Sequence, residues 1–160
     1  MMEHRKILSG DLNKVVASLL ARAYAAEYFE SNMISEALLY IHDDEIWKDL
    51  FNLIKDNELH RTMIEEIVEI LGYDIKDFRD YSKMFTECQL NFSGDFLNEM
   101  FSEILNFEIW AEKFYQHLAE FVSNIPLDVE KEKIEKVKMT LQTLADWERR
   151  HRELIEKYMR

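Results

Sequence analysis

Apolar residues recur at alternating steps of three and four in four long segments of this chain. The clearest run comprises Ile134, Val137, Leu141, Leu144, Glu148, His151, Ile155 and Tyr158. That spacing places side chains on one face of an α-helix, so each segment is predicted to be an amphipathic helix with one face in a shared core. Only three Gly and one Pro occur in 160 residues. This agrees with an all-α fold, because both residues are unfavourable inside helices.

Turn signals between the segments predict how the helices connect. We expect helices at residues 11–41, 45–71, about 93–122 and about 126–160, with a short helix at 74–81. The residues expected to begin or end these helices are Ser9-Gly10-Asp11, Asp44, Gly72, Ser93 or Asp95, and Pro126. Two short turns separated by a long crossover at 73–92 predict two antiparallel helix hairpins joined across a four-helix bundle.

The chain also resembles itself in its two halves. The hexapeptide His-Arg-Thr-Met-Ile-Glu at 60–65 is similar to His-Arg-Glu-Leu-Ile-Glu at 151–156. Ser-Gly-Asp occurs at 9–11 and again at 93–95. This repetition predicts two related hairpins, each ending on a helix that carries a histidine.

Polar side chains interrupt the apolar face of every predicted long helix at positions that should be buried. The interrupting residues, in chain order, are Glu27, Glu30, Asn57, His60, Glu108, Glu148 and His151. Burying carboxylates and imidazoles costs several kcal/mol unless something compensates. In di-metal four-helix bundles the compensation is a pair of metal ions, bound by Glu from two helices and Glu-x-x-His from the other two.

Distance from the predicted turns ranks these candidate ligands. Glu27 is about as far before the first turn as Asn57 and His60 are after it, whereas Glu30 would lie about 5 Å nearer the hairpin end. Glu27 is therefore the preferred ligand and Glu30 the reserve. In the second hairpin Glu108 is nearer its turn than Glu148, so helix four must overhang or the turn must be longer than predicted.

Composition and charge narrow the function further. A net charge of −12 argues against a nucleic-acid partner, because the phosphate backbone would be repelled. No apolar run approaches the roughly 18 residues of a membrane span, and the N-terminus does not read as a signal peptide. Cys88 is the only cysteine, which excludes an intrachain disulfide and a Cys-x-x-Cys pair. We expect a single cytoplasmic domain spanning residues 1–160.

Two stretches resemble the ferritin-like di-iron superfamily, and within it the rubrerythrin-like branch. Ala-Asp-Trp-Glu-Arg-Arg-His at 145–151 is similar to that family's E-x-x-H helix. In the stretch beginning at Glu108, Tyr115 follows the candidate ligand by seven residues, as in the family's third helix. Two departures lie in the first half: Asn57 stands where a bridging Glu is expected, and Ile34, not Tyr, follows Glu27 by seven residues.

The resemblance implies a ferritin-like bundle that binds two iron ions, with manganese or zinc as alternatives. The implied ligands are Glu27, His60, Glu108, Glu148 and His151, with Glu30 and Asn57 as further candidates. Tyr115 would not bind metal itself but would donate a hydrogen bond to one of the ligands. Carboxylate and imidazole donors without thiolate suit these metals.

Three functions remain open at this level. The first is a rubrerythrin-like oxidoreductase that reduces peroxide or dioxygen; without a rubredoxin module it would take electrons from a separate donor. The second is a ferritin-type iron-binding or storage protein. The third is a non-catalytic helical interaction module that has lost its metal, a reading that the departure at Asn57 favours. The resemblance also implies a homodimer or a higher homo-oligomer.

Overall fold

The computed structural model describes residues 2–85 and 96–159, with side chains from Leu12 onward. Its α-helices are α1 (Met2–Ala37), α2 (Asp44–Ile70), α3 (Ile75–Ser82), α4 (Phe96–Val122) and α5 (Lys131–Tyr158), with a 3-10 turn at Lys83–Phe85. No strand occurs within these two ranges. The predicted all-helical class is confirmed.

The boundaries of α2 and α3 follow from local hydrogen bonding. The Asp43 side chain accepts a bond from the backbone N–H of Ile46 at 2.9 Å, so Asp43 caps α2, where the sequence had pointed to Asp44. Asp74 caps α3 in the same way, accepting from Lys76 at 2.8 Å. Gly72 adopts a φ of 93° after the last turn of α2, a conformation that glycine reaches at little cost and that ends the helix as predicted.

The first helix differs from the prediction at both ends. It begins at Met2, so Ser9-Gly10-Asp11 lies inside the helix and does not start it. Residues 2–8 are good helix formers, and they outweigh a capping sequence whose one glycine costs only about 1 kcal/mol. The helix ends at Ala37 and not at Ile41, because the N–H groups of Leu39 and Tyr40 bond to carbonyls three residues back.

The last helix begins later than predicted. It starts at Lys131, five residues beyond Pro126, because residues 123–130 cross the end of the bundle as a longer connection. Leu127 is buried there, and the Asn13 side chain accepts a bond from the backbone N–H of Asp128 at 3.1 Å. A longer turn was one of the two ways to bring Glu108 level with α5. The predicted caps Ser93 and Asp95, together with Cys88, lie outside the described residues.

The four long helices pack as two neighbouring pairs. α1 packs on α2 and α4 packs on α5, with further contacts between α2 and α5 and between α1 and α4. Two separate apolar clusters fill the interior. One includes Leu20, Ile64 and Leu141, and the other includes Ile34 and Leu53.

The seven predicted polar positions lie between these two clusters along each long helix, so apolar side chains seal the polar layer from both ends of the bundle. Across residues 2–85 and 96–159, no helix is both long enough and apolar enough to cross a membrane.

Candidate metal centre

All seven polar residues that interrupt the helical faces are buried. Their exposed fractions are Glu27 0%, Glu30 1%, Asn57 0%, His60 0%, Glu108 0%, Glu148 0% and His151 4%. They reach the interior from α1, α2, α4 and α5, because each occupies a core-facing position of its helix. The structure thus brings the whole predicted set into one layer.

The first half of this layer is built around His60. Its Nδ1 atom lies 2.7 Å from Oε1 of Glu148 and 3.4 Å from Oε1 of Glu27. The hydroxyl of Tyr115 donates a hydrogen bond to Oε1 of Glu27 at 3.0 Å. Three side chains from α1, α2 and α5 therefore meet here, and Tyr115 of α4 holds one of the carboxylates in place.

The second half is built around His151. Its Nδ1 atom lies 3.6 Å from Oε2 of Glu108 and 3.8 Å from Oε2 of Glu148. Its other ring nitrogen, Nε2, lies 2.9 Å from Oδ2 of Asp56. A histidine that binds metal commonly directs its second nitrogen to a carboxylate, which fixes the orientation of the ring. Asp56 is placed to do this for His151.

Glu148 joins the two halves. Its Oε1 atom faces His60 and its Oε2 atom faces His151, and the two imidazole rings lie 5.4 Å apart. Each half offers three ligand atoms within 4.8 Å of one another, from Glu27, His60 and Glu148 or from Glu108, Glu148 and His151. These groups could each hold a metal ion, with Glu148 placed between them as a bridging carboxylate would be.

Glu30 and Asn57 form a separate buried pair beside these groups. The Asn57 amide nitrogen donates to Oε1 of Glu30 at 2.9 Å. Neither residue belongs to the two groups of three.

The hydrogen bonding of the layer is incomplete, which provides a test of whether metal would fit. Apart from the close His60 Nδ1–Glu148 Oε1 pair, the buried polar atoms without a hydrogen-bond partner include Glu27 Oε2, Glu30 Oε2, Asn57 Oδ1, His60 Nε2, both oxygens of Glu108, Glu148 Oε2 and His151 Nδ1. Protein interiors satisfy the great majority of such groups. Eight unpartnered atoms of this kind in one layer fit a site whose missing partners are cations.

Crowding in the layer shifts the pKa values of the carboxyl groups in different directions. Burial and the nearby Glu148 raise the pKa of Glu27 to about 7. Burial raises the pKa of Glu30 to about 8. Burial and the charges of Glu30 and Glu148 raise the pKa of Glu108 well above its ordinary value. Burial also acts to raise the pKa of Glu148, but close polar contacts with Glu108, His151 and His60 outweigh it and bring the pKa well below its ordinary value.

The histidines are pushed toward their charged forms. Burial alone would lower the pKa of His60, but the carboxylates of Glu27 and Glu148 raise it to about 10. For His151, Asp56 and Glu148 overcome burial and raise the pKa to about 9. Without metal, protons on the histidines supply positive charge to the layer, and protons on some of the carboxyls remove negative charge from it.

Sequence reasoning missed Asp56. It lies off the apolar face of α2, one turn before His60, and the exposed fraction of its side chain is 23%. Periodicity singles out polar residues at apolar positions. A partly exposed aspartate beside the apolar face of α2 gives no such signal. Tyr24 lies one turn before Glu27 on α1, but its hydroxyl donates to Oε1 of Glu65 at 2.8 Å.

Comparison with known proteins yields no relative. No protein-family model matches the chain, and neither a curated protein nor a solved structure matches it.

Proposed function

We propose that this chain is a di-metal carboxylate protein of the ferritin-like type, acting as a rubrerythrin-like oxidoreductase on peroxide or dioxygen. One observation carries the proposal: two buried groups of Glu and His ligand atoms share Glu148 and leave many of their polar atoms without protein partners. The proposed ligands are Glu27, His60, Glu108, Glu148 and His151. An interaction module would have no reason to retain such costly buried groups.

The ferritin-like connectivity is part of the proposal. Two pairs of long helices, α1 with α2 and α4 with α5, are joined through α3 and the residues that follow it. A short connection, a long crossover and a second short connection are typical of ferritin-like bundles. The arrangement also supplies one Glu-bearing helix and one His-bearing helix in each pair.

Iron is the proposed metal, on the strength of the resemblance, and manganese is the next choice. When bound, a pair of such ions supplies two electrons to a single oxidant, and the protein supplies geometry and a dry surrounding. The apolar clusters on both sides of the layer exclude water. Tyr115 holds its hydroxyl proton against Oε1 of Glu27, which orients that carboxylate toward His60.

A pocket between α1 and α4 supports a small uncharged oxidant. It has a volume of about 300 Å³ and includes Glu30 of the polar layer. Its walls are Ala26, Phe29, Met33 and Phe107, with Glu103 and Asn106 beside them. Carboxylates here and a net charge of −12 disfavour anionic substrates, whereas peroxide and dioxygen carry no charge.

The reaction of the iron(II)-loaded protein tests this proposal. Protein loaded anaerobically with two equivalents of iron(II) should react with hydrogen peroxide or dioxygen and develop a near-ultraviolet charge-transfer band. Glu148→Ala should abolish the band, because Glu148 belongs to both ligand groups. Glu153→Ala, an exposed carboxylate on the same helix, is the matched control and should react as wild type does.

The same experiment separates the alternatives. Repeated consumption of peroxide with an added reductant identifies an oxidoreductase. Uptake of many iron ions per chain without turnover identifies storage. A wild-type chain that takes up no iron or manganese contradicts both and leaves the interaction module.

A further inference from the structure

Asn57 and Glu30 form a buried pair that the five proposed ligands leave unexplained. The Asn57 amide donates to Oε1 of Glu30 at 2.9 Å, and the exposed fractions of the two side chains are 0% and 1%. Within the described structure, the second oxygen of Glu30 and the amide oxygen of Asn57 have no hydrogen-bond partner. A carboxylate buried this deeply costs several kcal/mol without compensation, so the burial of this pair requires an explanation.

The two carboxylates of α1 face different halves of the layer. Glu27 lies 3.4 Å from Nδ1 of His60. Glu30, one helical turn further along, is buried near Glu108, and its charge helps to raise the pKa of Glu108. In this way α1 offers one carboxylate to the His60 half and one to the Glu108 half.

The balance of charge between the buried carboxylates and two metal ions gives a reason for burying Glu30 beside Asn57. The buried carboxylates of the layer are Glu27, Glu30, Glu108 and Glu148. Four carboxylates balance two divalent cations when both histidines are neutral, as metal ligation requires. Asn57 adds no charge, so the fourth negative charge must come from Glu30.

We infer that Glu30 is the fourth carboxylate ligand, binding the ion of the Glu108 half, and that Asn57 is a positioning residue. The amide N–H of Asn57 holds Oε1 of Glu30 and leaves Oε2 free for the metal. The charge that an E-x-x-H helix would place on α2 is thereby moved to α1. This inference rests on the proposed function, because it assigns roles within the same site.

Calorimetric titration of the metal-free protein with manganese(II) tests the inference. Wild type should bind two ions. Glu30→Gln should weaken the ion of the Glu108 half by at least about tenfold, since even the loss of a supporting contact costs roughly 10- to 100-fold in metal affinity. Gln keeps the shape of Glu and needs no proton in the interior, so this variant should fold. Glu66→Gln, at an exposed position on α2, is the control for lost charge alone.

Two further variants assign the roles of the pair. Adding Asn57→Glu to Glu30→Gln returns the charge to α2 and should restore the affinity for the second ion toward that of wild type. Asn57→Ala removes the tether but keeps the carboxylate, so it should weaken the same ion by roughly tenfold. Circular dichroism of each metal-free variant establishes that it is folded.

The outcomes are distinct from a failure of the proposed function. If wild type binds no manganese, the di-metal proposal and this inference fall together. If wild type binds two ions and Glu30→Gln binds them equally well, only this inference is overturned. Wild-type binding by Glu30→Gln together with lost binding by Asn57→Ala would assign the ligand to the Asn57 amide oxygen instead.

Discussion

Glu108 is buried among other carboxyl groups in the metal-free layer. Burial and the neighbouring charges of Glu30 and Glu148 raise its pKa, so folding favours the protonated form of this carboxyl. Folding therefore either takes up a proton at this residue or buries its charge. The pKa of Glu148 shifts the other way, since close polar contacts with Glu108, His151 and His60 outweigh burial and lower it.

These settings predict opposite effects of two isosteric variants. Glu108→Gln should stabilise the metal-free protein, because Gln neither takes up a proton nor buries a charge. Glu148→Gln should destabilise it, because His60 and His151 lose their charged partner. Urea unfolding in the presence of a chelator measures both changes. Destabilisation by both variants would contradict the opposite directions of these two pKa shifts.

Asp56 is expected to act on metal binding through His151. Asp56→Asn keeps the shape but removes the charge that orients Nε2 of His151, so affinity for the ion of the Glu108 half should fall roughly 10- to 100-fold. Asp49 provides the control, because it is also an aspartate of α2 that is hydrogen-bonded to α5. It accepts a hydrogen bond from Tyr158. Asp49→Asn should leave the affinity for manganese unchanged. Equal losses in both variants would indicate a general effect of helix packing.

At the scale of the elements, α1 and α4 define the proposed route of the oxidant. Ala26 is a small residue in the wall of the pocket that reaches Glu30. Ala26→Phe should fill this space and slow iron(II) oxidation by about tenfold, equivalent to about 1.4 kcal/mol in the barrier. Manganese stoichiometry should not change, since no ligand is replaced. Asn32→Phe, at an exposed position of the same helix, is the control, and an unaltered rate in Ala26→Phe would place the entry elsewhere.

The helices themselves were largely predictable, because an amphipathic period over many residues is a strong signal. Their ends were less so. The start of α5 depends on contacts between Asn13 and Asp128, which are 115 residues apart, and no local pattern contains that information. The start of α1 was misread because Ser-Gly-Asp resembles a cap but lies in a helix-forming stretch.

The same limit applied to the site. Glu27, His60, Glu108, Glu148 and His151 were identifiable because each is a polar residue at an apolar position. The partner of Glu30 could not be identified this way, since the sequence gives the positions of the two side chains but not the hydrogen bond from Asn57. Asp56 could not be identified from the sequence, because its proposed role depends on a contact with His151 of another helix.

For the whole molecule, the protonation of the layer links stability to pH. The pKa values of Glu27 and Glu30 rise to about 7 and about 8 from 4.5, and those of His151 and His60 rise to about 9 and about 10 from 6.5. Each raised value means that the folded chain binds more protons than the unfolded chain between the two numbers. The stabilisation from these groups is therefore present at low pH and is lost as pH rises through these windows.

The free energy of unfolding of the metal-free protein should accordingly fall as pH rises from about 5 to about 9. Metal binding displaces these protons, so manganese should stabilise the protein more at pH 8 than at pH 6. Urea unfolding across this range, with manganese and with chelator, measures both trends. Metal-free protein that becomes more stable with rising pH would contradict the protonation pattern.

The central claim is that the buried layer binds two metal ions, and the metal content of the chain tests it most directly. Protein purified without chelator should contain close to two iron or manganese ions per chain by elemental analysis. Removing them with chelator should lower the melting temperature, since a ligand bound only to the folded state stabilises it. Glu148→Ala should contain little metal. A wild-type chain with no metal, unable to take it up and equally stable with and without chelator, would contradict the account.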